Sequence, residues 1–215
     1  MNFSTFKLAL ATPVIAVALS ACGSSNGIAD YEELGNKADA VIDRVKVVGE
    51  YNDTTEKYEN FTTAEEMSQR SGSATYSGVA GLYVADSEEI LAQRMNDDDR
   101  SPAVIAKLNL TADFDSSSIT GSMTNLQSGD EDMTVSGQID LANGTISNGD
   151  LTADLTGTLE TTGDGPDETL TLTGTTTGAF VGDNAEAAVG EIEATLSNGE
   201  GNGQFVGGGW IVEGQ

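Results

Sequence analysis

From Ser73 onward, apolar and polar residues alternate with a period of two. Ala74, Tyr76, Gly78, Ala80, Leu82 and Val84 share one face of a first predicted strand, and Val104, Ala106, Leu108, Leu110, Ala112 and Phe114 one face of a second. Ile119, Gly121 and Met123 mark a third; Met133, Val135, Gly137, Ile139 and Leu141 a fourth. The fifth alternates without a break, Leu151, Ala153, Leu155, Gly157 and Leu159 against Thr152, Asp154, Thr156, Thr158 and Glu160. Leu170, Leu172 and Gly174 mark the sixth, and Gly190, Ile192, Ala194 and Leu196 the seventh. Phe205, Gly207, Gly209 and Ile211 mark the eighth, with Trp210 on the opposite face. Successive side chains of a strand point to opposite faces, so each run predicts a strand buried on one side. Asn143-Gly144, Asn148-Gly149, Asn198-Gly199 and Asn202-Gly203 suit the positive backbone angles of tight hairpins. Gly129-Asp130 and the segment 163–165 do similar work, and Ser87 to Arg94 predicts one helical turn in the loop after the first strand.

Eight consecutive strands with one apolar face each predict an antiparallel meander. Left open, such a sheet exposes that face and two edges; closure buries the face and removes the edges. The expected fold is therefore all-β: an eight-stranded antiparallel up-and-down β-barrel over 72–215, with a short helical extension before it. Its inward residues mix Leu, Ile and Phe with Gly and Ala, which favours a tapering packed interior over a ligand cavity. Its outward residues are Thr, Ser, Asn, Asp and Glu, whereas a membrane-spanning barrel presents an apolar band to lipid.

Ahead of the barrel, 28–71 reads as a helical and irregular extension. Ile28, Tyr31, Leu34, Ala38, Val41, Ile42 and Val45 recur every three or four residues, the period of a helix with one apolar face. Its wet face carries Asp30, Glu32, Glu33, Asp39 and Asp43, whereas a helix lying on a membrane favours Lys and Arg there, so packing on the main domain is expected. Thr62 and Glu65 stand in capping-box spacing before a second short helix.

Residues 1–21 form an export signal: Lys7, then an apolar run from Leu8 to Leu19 that is too short to span a bilayer. It ends in Leu19-Ser20-Ala21-Cys22, which resembles the lipobox of bacterial lipoproteins, where the cysteine is acylated and becomes the mature N-terminus. Cys22 is thus the expected lipidation site and membrane lipid its first partner, with 22–27 as the tether. Several acyl chains on one residue give stable anchoring where a single chain is marginal. Position 23 is Gly, and an Asp there resembles the inner-membrane retention signal of enteric bacteria. The expected address is therefore the outer membrane, at the cell surface or on its periplasmic face.

Charge narrows the partners. Lys and Arg total 9 against 35 Asp and Glu, and the last basic residue is Lys107. Such a chain repels nucleic acid, and its charge suits a cationic partner or simply a solvated surface. There is no histidine and one cysteine, so Ser-His and Cys-His machinery is absent and no internal disulfide can form. The chain is expected to be no enzyme, to use no cofactor or metal, and to be a monomer. The acidic segments Asn96–Asp99, Ser128–Asp132 and Gly163–Glu168 do not match the calcium-loop pattern with its closing bidentate Glu. Loop 85–101, then loops 126–132 and 161–168, are the candidate binding surface for an extracellular protein or a solute.

Certain runs resemble a known family. Ser73-Ala-Thr-Tyr-Ser-Gly78 is similar to the opening strand of the barrel domain of transferrin-binding protein B and related surface lipoproteins. Leu110-Thr-Ala-Asp-Phe-Asp115 with Ile119-Thr-Gly-Ser122 resembles that family's second hairpin. Gly178-Ala-Phe-Val-Gly182, Ala185-Glu-Ala-Ala-Val-Gly190 and Phe205-Val-Gly-Gly208 resemble its closing signature. In that signature, Gly178 and Gly182 are expected to let the chain bend, and Gly190 to let it re-enter the sheet. The resemblance implies an eight-stranded barrel, lipoprotein export and capture of host proteins. The full receptor has two lobes with further β-rich regions that carry its transferrin contacts. This chain shows one barrel after a helical segment, so no transferrin-contact residue carries over and transferrin itself is not the expected ligand.

Overall fold

In a computed structural model, the residues described are 26–97, 101–163, 167–199 and 203–215. Helix α1 (Asn26–Val48) leads into a small hairpin, β1 (Tyr51–Asn52) and β2 (Lys57–Tyr58), and a short helix α2 (Ala64–Ser68). Strand β3 (Ser73–Ala85) follows, then helix α3 (Glu88–Met95), β4 (Val104–Asp113), β5 (Ser118–Ser128) and β6 (Met133–Ser147). The chain ends with β7 (Asp150–Gly163), β8 (Glu168–Val181), β9 (Ala187–Ser197) and β10 (Gly203–Gly214). Strands β3 to β10 pair in sequence order, every pair antiparallel, and β10 pairs back onto β3 to close the barrel. This is the expected architecture.

The interior is filled. Trp210, Tyr76, Phe180, Leu108, Leu110, Ile119, Met123, Ile139, Leu151, Leu155, Leu172 and Ile192 are all fully buried. The polar atoms among them are paired, as burial requires. Tyr76 Oη donates to the Ala185 carbonyl at 2.8 Å. Trp210 Nε1 donates to Thr176 Oγ1 at 2.7 Å, and that hydroxyl donates to the Glu191 carbonyl at 2.6 Å.

Trp210 also overturns the expected facing of the last strand. Val206, Trp210 and Val212 point into the barrel core, while Ile211 packs outside it against α1. The outward side of β10 is covered by helices, so it too is apolar, and alternation by itself does not tell the two faces apart. The indole needs space, and the glycines of the closing segment supply it. Gly178 pairs with Gly190, and Gly190 with Trp210, so the three lie side by side across β8, β9 and β10. A Cβ at Gly178 would lie 2.7 Å from Trp210 Cζ2, and one at Gly190 2.3 Å from the same atom. Gly178 is therefore a seat for the indole within β8, while the bend falls at Gly182, with φ +84°.

Two further local expectations change. Asn143-Gly144 is not a hairpin turn. It lies inside β6, where the register against β7 shifts between Ala142 and Thr145 and Asn143 takes φ 53°. A positive-φ residue at such a shift is a β-bulge, which adds twist to the closing wall. The cap of α2 is Thr63 with Glu66, one position later than the spacing suggested, because Thr62 is buried and donates through Oγ1 to the Gly182 carbonyl at 2.6 Å.

Helix α1 lies on the outside of the barrel. Leu34, Val41 and Val45 are buried against Val79, Ile105, Val181, Ala187 and Ile211. Burying such aliphatic side chains is worth about 1.5–3 kcal/mol each. The helix begins at Asn26, within the segment assigned to the tether. Arg44 adds a two-pronged hydrogen bond to the Glu213 carboxylate, with both contacts at 2.6 Å. The apolar face of α1 thus packs against the domain, as its acidic wet face suggested.

Candidate binding surface

Cys22, the expected lipidation site, and the export signal lie outside the described residues. The rest of the surface divides by the up-and-down topology into two ends and a wall. The connections β3–β4, β5–β6, β7–β8 and β9–β10 gather at one end, here the loop end. The turns β4–β5, β6–β7 and β8–β9 gather at the other, the turn end, together with the start of β3 and the close of β10.

The segments singled out in the sequence belong, as far as they are described, to the loop end; 98–100 and 164–166 lie outside the described residues. Segment 85–101 is not a free loop over its first half. Ser87 caps α3 by accepting from the Ile90 N–H, and Arg94 donates to the Val84 carbonyl. Leu91 and Met95 lie where a side chain at Gly207 would stand: its Cβ would be 3.1 Å from Leu91 Cδ2 and 2.6 Å from Met95 Sδ. This helix thereby covers the outward side of β10. Segment 129–132 is a tight turn, with Ser128 Oγ accepting from the Asp130 N–H and Asp130 Oδ1 from the Asp132 N–H. The beginning of α1 meets this end: Tyr31 Oη donates to the Pro102 carbonyl at 2.7 Å. Burial, with the charge of Tyr83 beside it, pushes the Tyr31 phenol up to about 12.

The turn end is built differently, and sequence reasoning missed it. Residues 59–71 cross it. Phe61 bridges to Val181, and the Thr62 N–H donates to the Phe180 carbonyl at 3.0 Å. That places α2 beside the β4–β5 and β6–β7 turns. Between them lies a cleft of about 190 Å³ lined by Ala64, Met67, Ser68, Phe114, Ser117, Ile146 and Asn148. The Arg70 guanidinium sits 5.3 Å from the centre of the Phe114 ring, and Phe61 nearby is 47 % exposed. Apolar walls, three polar side chains and a cation over an aromatic face suit an amphipathic ligand group or a partner's side chain. The only signal in the sequence was Phe114 continuing the alternation past the end of its strand.

The strands away from α1 carry exposed Thr, among them Thr156, Thr158, Thr171 and Thr173. Burial, then the charge of Glu193, pushes the Glu191 carboxyl above the usual range. Among the described residues, no cluster of three or more His, Cys, Asp or Glu is arranged to hold a metal ion. None of the described helices is long and apolar enough to cross a membrane.

Residues 69–209 match the family described as C-lobe and N-lobe beta barrels of Tf-binding protein B. No curated protein matches the chain. Among solved structures, a mutant of transferrin-binding protein B from Haemophilus parasuis Hp5 is similar at 15% identity and a TM-score of 0.43. The isotype 1 protein from serogroup B Neisseria meningitidis is similar at 15% identity and a TM-score of 0.42. The alignments cover 72% of this chain but only 28% and 27% of those proteins.

Proposed function

The chain belongs to the family of β-barrels that form the lobes of transferrin-binding protein B, and from that premise we propose that it is an outer-membrane lipoprotein whose barrel binds a partner on its surface. Acylated Cys22 holds the chain to the membrane, and 1–21 is removed on export. The partner is an extracellular protein or a solute, the barrel acts as a monomer, and it performs no catalysis. The observation that carries this reading is the filled interior: with Trp210, Phe180 and Tyr76 packed inside, binding is left to the ends and the wall. Family members are binding proteins exported as surface lipoproteins, which supports both the role and the address.

The test has two arms. A Cys22→Ala chain should leave the membrane fraction and fail to take up a metabolically supplied acyl label, and a chain that stays membrane-bound refutes the anchor. Protease shaving of intact cells, read with an antibody to the barrel, should remove the signal without lysis. Protection until the outer membrane is breached refutes the surface address and places the barrel in the periplasm.

A second reading rests on the charge. From Leu108 to the C-terminus the chain has acids and no base. Such a surface suits an envelope protein that solvates its surroundings and has no specific ligand. The two readings differ in salt response. A specific partner binds saturably and survives moderate salt, whereas nonspecific contacts with an acidic coat fade over a Debye length of about 8 Å at physiological ionic strength.

A further inference from the structure

We propose that the barrel stands on the membrane with its loop end toward the lipid headgroups and its turn end, with the α2 cleft, facing away. This rests on the reading of Cys22 as the acylated residue, and α1 supplies the geometry. The helix starts at the loop end, where Tyr31 Oη reaches the Pro102 carbonyl and a Cβ at Gly129 would lie 3.3 Å from Tyr31 Cζ. It finishes at the turn end, where Asn60 Nδ2 donates to the Val48 carbonyl at 3.2 Å and a Cβ at Gly182 would lie 2.5 Å from Val48 Cγ1. Buried Leu34, Val41 and Val45 fasten it between those points, so the helix cannot swing free of the wall while the domain is folded.

Chain lengths then decide the orientation. From Asn26 to Val48 an α-helix rises roughly 33 Å, at about 1.5 Å per residue. From Cys22 to Asn26, where the helix begins, even fully extended chain spans at most about 14 Å. A barrel turned upside down would need the tether to run back along the helix to bring the turn end to the bilayer, and the tether is too short by more than half. The loop end therefore stays near the anchoring leaflet.

Electrostatics works against close contact at that end. Asp86, Glu88, Glu89, Asp130, Glu131 and Asp132 belong to the loop end. Facing anionic headgroups, they repel, so charge holds the loop end off the surface and the short tether alone keeps it near the leaflet. The segments that looked most available for a partner in the sequence are then the ones nearest the membrane, and the α2 cleft, with Met67 and Phe114, is the surface presented outward.

The experiment uses the full acylated chain. Acylation consumes the sole thiol, so a single introduced cysteine is a unique labelling point. Glu131→Cys labels the loop end and Ser116→Cys the turn end; both positions are exposed, and the far-ultraviolet spectrum of each variant checks its fold. Each labelled protein is placed in vesicles of phosphatidylethanolamine and phosphatidylglycerol carrying a headgroup nitroxide quencher. The loop-end label should be quenched at least threefold more than the turn-end label. Equal quenching, or stronger quenching at the turn end, overturns the orientation. Flotation with the vesicles tests the anchor separately. A wild-type chain that floats no better than Cys22→Ser overturns the acylation reading, and the orientation falls with it. A chain that floats but shows the reversed quenching overturns the orientation alone.

Discussion

A single methyl group added at Gly190 tests how the barrel is closed. An Ala Cβ there would stand 2.3 Å from Trp210 Cζ2 and 2.5 Å from Cε2, well inside van der Waals contact, and also 2.3 Å from the Thr177 carbonyl oxygen. Overpacking of this kind costs about 1–3 kcal/mol. Ala also narrows the unfolded ensemble, which offsets about 0.4–1 kcal/mol of that cost. The two protein neighbours are separated by a double-mutant cycle with Trp210→Phe. The smaller ring leaves the outer Cζ2 position empty, so the clash there is relieved, while the contact with Thr177 and the unfolded-state effect remain in both backgrounds and cancel. The Phe variant loses the hydrogen bond to Thr176, again in both arms. Gly190→Ala should therefore cost less in the Phe background than in the wild type, with a coupling above about 0.5 kcal/mol and below the full overpacking cost. The measurement is urea unfolding followed by circular dichroism, because Trp210 is the only tryptophan and the Phe arm has no indole fluorescence. Effects that add within about 0.5 kcal/mol would refute the claim that the glycines exist to seat the indole.

Three further outcomes follow from the same packing. The Tyr58 hydroxyl is buried with no hydrogen-bond partner among the described residues, so Tyr58→Phe should leave stability unchanged or raise it by about 1 kcal/mol in urea unfolding, and a loss of more than that amount would reveal a partner. Burial pushes the phenols of Tyr31 and Tyr76 from 10.0 up to about 12. With the folded-state values above the unfolded ones, their contribution to stability is complete below pH 10 and is lost as pH rises toward 12, so phenolate absorbance and loss of barrel ellipticity should appear together in that window. Independent titration near pH 10 with the barrel intact would contradict that burial. The formal net charge of −26 makes self-repulsion a standing cost, so Tm should rise with added sodium chloride from low to physiological ionic strength, and a flat response would mean the acids are already too far apart to interact.

The family resemblance and the barrel were legible because a period-two pattern is a local property. Each run such as Leu151 to Leu159 reports its own buried face, and Asn148-Gly149 reports its own turn. A repeated apolar face with no second layer to cover it leaves closure as the economical solution. The amphipathic period of α1 was legible in the same way, and its acidic wet face pointed to the barrel as what it packs on.

Contacts between distant segments decided the rest. β10 is apolar on both sides because α1 and α3 cover its outer face, so the pattern could not say that Trp210 points inward and Ile211 outward. Asn143-Gly144 has the composition of a turn, but only the pairing of β6 with β7 over its whole length makes it a bulge. Gly178 and Gly190 read as hinges until the indole of Trp210, brought in from another strand, occupies the space their missing side chains leave. The α2 cleft draws its lining from three separate stretches, Ala64 to Ser68, Phe114 to Ser117, and Ile146 to Asn148, and becomes a surface feature only when the barrel end gathers them. Periodicity records which side of an element is buried; what buries it is set by segments far away along the chain.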